Sequence, residues 1–400
     1  MVFETIVSSL TSRNGYIHSR KISVVVSLAI LAQFAFLVVN KTSVPAGLLF
    51  ILALLGLSTQ SARLPLKNTD RHWFFALLGL ALIPIFSLAL NGVTDSSSYE
   101  RWIRFALGAI VLWHLCSLRI PVWITGAACA LLILPISWIA LFGDGLLSLG
   151  ANFHKFSYLL LIGSAVILVK AYLSKTWIMK IALGATGCVG ILASFERDSV
   201  STLIGLIAFF GYLVVETLIN PKTRRSGLAI GIVAVVGLAI TLSIPNGLER
   251  AVRSEIKKAN LALQNQDTGN MALRIRMVQV GLEAANQSPI IGNGPNYKEI
   301  SSTFGVEIPG PNISRYHHFH NQYLDMAAKF GWPATLSFLL FLLFGWWHKN
   351  WKTRIQLGAI IVPLASISLG ETVLASNQIA LLAILLPTLI RSEENVERDS

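Results

Sequence analysis

Charge is what this chain has least of. Only 13% of its 400 residues are charged, about half the usual share for a soluble domain. Hydrophobic residues make up 54% and the mean hydropathy is +0.64, which excludes a water-soluble enzyme and points to a polytopic membrane protein. Acidic residues are scarcer than basic ones, 20 against 32, for a net charge of +12. In a soluble chain that excess would suggest nucleic acid. In a membrane chain it holds loops in the cytoplasm, and no nucleic-acid partner is expected. Cysteine is nearly missing: Cys116, Cys129 and Cys188 all lie in apolar runs without CxxC spacing. They read as small buried hydrophobes, not as disulfides or thiolate metal ligands. There is no HExxH, no internal repeat and no low-complexity tract. No short apolar segment with a small-residue cleavage site is evident either, so the run from Ile22 reads as a retained first span.

What is there is a series of apolar segments of roughly spanning length. They fall near 22–39, 44–59, 72–91, 102–118, 121–142, 156–174, 177–194, 200–219, 227–244, 331–347, 355–372 and 377–390. The expected fold is therefore an all-α polytopic membrane protein of about twelve transmembrane helices. Nine helices occupy 1–244, a large loop of helices occupies 245–330, and three helices with a tail occupy 331–400. An even number of spans puts both termini on one side. With the termini inside, the cytoplasmic segments hold 18 of the 32 Lys and Arg, and the short outer segments hold five. Basic residues mark the cytoplasmic side, so the termini are expected inside and the 245–330 loop outside.

Within that loop, "MALRIRMVQVGLEAANQSP" spaces Met271, Ile275, Val278, Leu282 and Ala285 by 4, 3, 4 and 3. This is one apolar stripe on an amphipathic helix, able to lie on the membrane or cap the bundle. "SPIIGNGPN" then breaks the helix with proline and glycines.

The polar residues gather on the outer side. Arg197 sits in the short loop "SFERDSVST". It reads either as an arginine reaching for lipid headgroups or as an anion ligand whose planar fork fits phosphate oxygens. Arg274 and Arg276 point roughly 200° apart on a helix; Arg274 flanks the apolar stripe, so of the two it is the candidate anion ligand. In "RYHHFHNQYLDMAAKFGWPA", residues 315–334, three of the eight histidines fall within four positions. His317, His318 and His320 are too close in sequence to converge easily on a metal. Asn321 is a good helix N-cap, which places His320 at the positive end of a helix and favours the neutral imidazole. A neutral imidazole is a general base, although a plain hydrogen-bonding histidine stays open on this pattern. Glu371 closes an apolar run on the same outer face, and a carboxylate there needs a partner.

The segment "HNQYLDMAAKFGWPA", opening a span after a long outer loop, resembles the signature of the bacterial O-antigen ligase family, membrane glycosyltransferases that also include O-antigen polymerases and protein O-oligosaccharyltransferases. His320, Asn321 and Gly331 match the family pattern, and Ala334 stands where a second glycine is expected. "RIRMVQVGLEAANQSPIIGNGPN" is similar to the family's arginine-bearing loop helix followed by Pro and Gly-x-Gly, with Arg274 at the arginine. "SFERDS" places Arg197 in the matching short loop. The resemblance implies a GT-C-like bundle and an undecaprenyl-pyrophosphate-linked glycan as donor. It implies a sugar hydroxyl of lipid A-core as acceptor, on the periplasmic face of a Gram-negative inner membrane, with inversion and without metal or other cofactor. His320 is then the catalytic base. Arg197, Arg274, Arg315, His318, Asn321 and Glu371 are substrate-binding residues, and membrane lipid surrounds the rest.

The nearest rival expectation is an O-antigen polymerase. A protein O-oligosaccharyltransferase fits less well, because many carry a further C-terminal domain and this sequence ends ten residues after the last span. A secondary transporter would need midplane charges, whereas these polar residues lie at the outer edge.

Overall fold

The computed structural model describes residues 68–115, 123–143, 153–194, 200–220, 257, 261, 270–306 and 312–397. Twelve α-helices run through the described residues: α1 (Asn68–Leu90), α2 (Ser96–Leu115), α3 (Trp123–Phe142), α4 (Phe153–Leu173), α5 (Trp177–Ser194), α6 (Val200–Ile219), α7 (Asn270–Gln287), α8 (Tyr297–Gly305), α9 (Gln322–Phe330), α10 (Trp332–Trp346), α11 (Trp351–Ile367) and α12 (Asn377–Glu397). No strand occurs among them. Nine of the helices coincide with expected spans; the spans expected at 22–39, 44–59 and 227–244 lie outside the described residues, as does Arg197.

Five helices, α1 and α3 to α6, are long and apolar enough to cross a bilayer. α10 is apolar but has only 15 residues. α2 begins with Glu100, Arg101 and Arg104, α11 has 17 residues and starts with Lys352 and Arg354, and α12 ends in Arg391, Glu393 and Glu394. α4 is the hub, 78% buried over its span and packed on α3, α5, α6, α11 and α12. α5 approaches it through small residues: a Cβ on Gly190 would run into Ser164 Oγ, and one on Gly187 would lie 2.7 Å from Leu168. Small residues are the usual means of close helix approach in lipid. The outer faces carry rows of exposed large apolar side chains, such as Leu336, Leu339 and Leu343 on α10 and Trp138, Leu141 and Phe142 on α3. Such rows suit lipid and not water.

α7, α8 and α9 form a second, smaller core built from Leu273, Met277, Val280, Ala284, Tyr297 and Phe319. This corrects the expected stripe. The buried face of α7 is the 273/277/280/284 row, whereas Val278 and Leu282 are each 46% exposed. The helix bears apolar residues on two faces, and Gly281 decides between them. A Cβ there would meet Leu324 at 2.8 Å and Phe319 at 3.0 Å, so only the glycine-bearing side lets α9 come close.

The C-terminal end of α9 is clasped by the "PIIGNG" turn. Asn293 N–H donates to Ala328 O at 3.0 Å, Gly294 N–H to Lys329 O at 3.0 Å, and Trp332 N–H to Pro289 O at 2.8 Å. The first two satisfy carbonyls left open at the end of α9, and the third satisfies an amide left open at the start of α10. Gly331 adopts φ +84°, and a Cβ there would stand 2.2 Å from the Ile290 carbonyl oxygen. Gly331→Ala is therefore expected to cost roughly 2 kcal/mol or more. Gly294, at φ +83° with nothing within 4 Å of its Cβ position, should lose only about 1 kcal/mol on the same change. Thermal unfolding of both variants checks this, and equal losses would contradict the clasp.

Candidate active site

His320 precedes α9 and meets Glu371 because the N-terminus of α9 is tied to the turn after α11. Asn321 caps the helix, its Oδ1 accepting from Leu324 N–H at 3.0 Å while its Nδ2 donates to Leu369 O at 3.0 Å. Gln322 N–H donates to Ser368 O at 2.9 Å, and its Oε1 accepts from Leu374 N–H at 2.8 Å. One polar end of Asn321 thus caps α9 while the other joins it to the turn after α11. Residues 51 apart in sequence come together as a result: His320 Nδ1 lies 3.2 Å from Glu371 Oε2. On the other side, Arg274 Nη2 donates to Glu371 Oε1 at 3.4 Å.

His320 has φ +50°, the one positive φ at a non-glycine position among the described residues. Histidine is among the side chains that tolerate this region best, and such strain collects at functional sites. With Glu371 accepting the Nδ1–H, Nε2 keeps its lone pair and is the basic atom; that tautomer follows from the hydrogen bond. Burial works against ionisation of Glu371. The hydrogen bond and charge of His320, then the charges of Arg274 and His154, outweigh it and hold the carboxyl below the usual carboxylate range.

His318 stands beside His320 with ring centroids 4.3 Å apart. Burial lowers its pKa to about 4, so it is neutral at pH 7. Its buried Nδ1 has no hydrogen-bond partner among the described residues. Arg315 is exposed; it donates to Tyr316 Oη at 3.1 Å and lies over that ring, 5.2 Å from the centroid. The Tyr316 ring in turn lies edge-on to His320 at 5.6 Å. Arg276 does not join the site. It is half-buried and donates to Gly305 O at 2.7 Å, at the end of α8.

The histidines converge more than their spacing suggested. His318, His320 and Glu371 each offer a ligand atom, and these atoms lie within 4.8 Å of one another. His317 is exposed and stays outside the group; the turn at His320 swings its ring towards His318. Two imidazoles and a carboxylate are a ligand set zinc accepts, but Glu371 already carries a cation, Arg274.

Sequence reasoning missed four members. Tyr316 packs on His320. His154, at the start of α4, is close enough to Glu371, Arg274 and His320 to feel their charges. Asp325 and Lys329 support the histidine loop from behind. A histidine at the outer end of a span was a visible signal for His154, whereas Tyr316 and Lys329 carry none that a sequence pattern reveals.

No curated protein gives a significant match to the chain. Residues 182–339 match the family model described as O-Antigen ligase, a stretch that includes Arg274, His318, His320 and Asn321. Over that stretch the chain is similar to the O-antigen ligase family, and its described residues include five helices long and apolar enough to cross a membrane.

Proposed function

We propose that this protein is an O-antigen ligase. It moves a glycan from undecaprenyl pyrophosphate to a sugar hydroxyl of lipid A-core at the periplasmic face of a Gram-negative inner membrane, with both termini cytoplasmic. The observation that carries this reading is the chain Arg274–Glu371–His320, a held cation and a base joined by one carboxylate. The attacking hydroxyl needs its proton removed, and the departing pyrophosphate needs its charge held.

His320 Nε2 takes the hydroxyl proton as the new bond to the anomeric carbon forms, with inversion. Glu371 keeps the ring in the right tautomer and stabilises the imidazolium that results. The bond from the anomeric carbon to the pyrophosphate oxygen breaks, and undecaprenyl pyrophosphate leaves with the electron pair. Arg274, whose side chain is 45% exposed, offers its free guanidinium edge to that anion, and Arg197 serves as a second cation. His318, neutral and adjacent, and Arg315, on the rim, contact the sugars. Asn321 serves the site by fixing where His320 stands.

No step in this scheme needs a metal, because guanidinium groups do the work of a Lewis acid on the leaving group. Purified protein in proteoliposomes, given lipid-linked glycan and lipid A-core, should therefore transfer at full rate in EDTA. Loss of activity that one divalent ion restores would overturn the metal-free reading and make the His318–His320–Glu371 group its site. Elongation of the lipid-linked glycan without transfer to lipid A-core would identify a polymerase instead.

A further inference from the structure

Behind the histidine loop lies a charged pair that the proposed chemistry does not use. Asp325 and Lys329 are one turn apart on α9, each only 8% exposed, with Lys329 Nζ 2.9 Å from Asp325 Oδ1 and 3.0 Å from Oδ2. Neither charge is spent on the other alone. Asp325 Oδ1 accepts from Phe319 N–H at 3.1 Å, and Lys329 Nζ donates to His317 O at 3.3 Å. The pair therefore grips the loop's backbone at 317 and at 319, on either side of His318 and immediately before His320. Phe319 adds a third hold: it is 1% exposed, with its ring 4.7 Å from that of Tyr297. With 317 and 319 fixed, His318 and His320 meet each other and Glu371.

We infer that Asp325 and Lys329 are positioning residues: their buried ion pair sets the backbone from which His320 is aimed. The inference rests on His320 being the base. A buried ion pair contributes little net stability compared with apolar residues of the same shape, and is better explained by what it specifies. Here it specifies a loop that includes a strained residue, His320 at φ +50°. Among the described residues, that loop makes few other long-range backbone hydrogen bonds. A base misplaced by about 1 Å can lose roughly 10²-fold in rate without loss of substrate binding.

The test uses purified full-length variants in proteoliposomes, with kcat and KM for the lipid-linked donor measured separately. Asp325→Asn keeps an oxygen for the Phe319 N–H but strands a buried ammonium, and Lys329→Met strands a buried carboxylate. A stranded buried charge is the costly arrangement, so each single change should lower kcat by roughly 10²-fold, with KM within about threefold of wild type. The double variant Asp325→Asn/Lys329→Met is neutral and keeps the acceptor for Phe319, so it should recover to within about tenfold of wild type. Asp325→Glu keeps the ion pair, and so the fold, but moves the carboxylate by one methylene from the loop; its kcat should fall about tenfold at unchanged KM.

A pair with a merely structural role would lower thermal stability in these variants and leave kcat of the folded Asp325→Glu protein at the wild-type value. That result, or losses that fall on KM, would overturn the inference. His320→Ala separates the two levels of the argument. If it is active, the base assignment fails. If it is inactive while the Asp325 and Lys329 variants turn over like wild type, only the positioning role fails.

Discussion

His320→Ala is expected to lower glycan transfer by about 10²-fold or more while the protein accumulates normally in the membrane. The imidazole has a basic nitrogen and a carboxylate behind it, 3.2 Å from Nδ1. Without it the attacking hydroxyl keeps its proton until late in the reaction. Alanine is uncomfortable at φ +50°, so part of its effect could come from the backbone. His320→Asn removes that ambiguity, because asparagine tolerates the left-handed region and cannot act as a base near pH 7. Both variants should be equally impaired. Near-normal transfer by well-expressed His320→Asn protein would end the base assignment.

The second large effect separates two arginines only two residues apart. Arg274→Ala removes the cation that faces Glu371 and the proposed pyrophosphate, and should reduce turnover by roughly 10²-fold, the scale seen when a charge-stabilising donor is lost. Arg274→Lys should restore part of the rate, since a point charge cannot reproduce the guanidinium fork. Arg276→Ala should transfer at close to the wild-type rate. Its loss would be in stability, about 1–3 kcal/mol, for the bond from its guanidinium to Gly305 O. Transfer to lipid A-core at matched membrane levels distinguishes the three. Equal defects at 274 and 276 would remove the main support for a pyrophosphate role, and a defect confined to 276 would reverse it.

How much of this was legible beforehand differs by element. The nine bundle helices among the described residues were, because an unbroken apolar run of spanning length has few other uses. Divergence of Arg274 and Arg276 was also legible, since it depends only on the helical angle. The buried side of α7 was not. Two apolar rows competed there, and the choice fell to Gly281, whose missing side chain matters only once Leu324 and Phe319 stand against it. Local spacing likewise argued against convergence of the histidines. It does not register a positive φ at His320 or the bonds that carry the 368–374 turn to the head of α9. The Gly-x-Gly and His-to-Gly motifs were visible separately, but they form two halves of one clasp that only tertiary contact joins.

As proposed, the protein moves a polymer from its lipid carrier onto lipid A-core. The lipopolysaccharide banding pattern of a strain deleted for this protein tests it most directly. The expected pattern is lipid A-core that bears no polymer, with full-length polymer retained on the lipid carrier and banding restored by the wild-type protein but not by His320→Asn. Core capped with single repeat units, or an unchanged ladder, would contradict it.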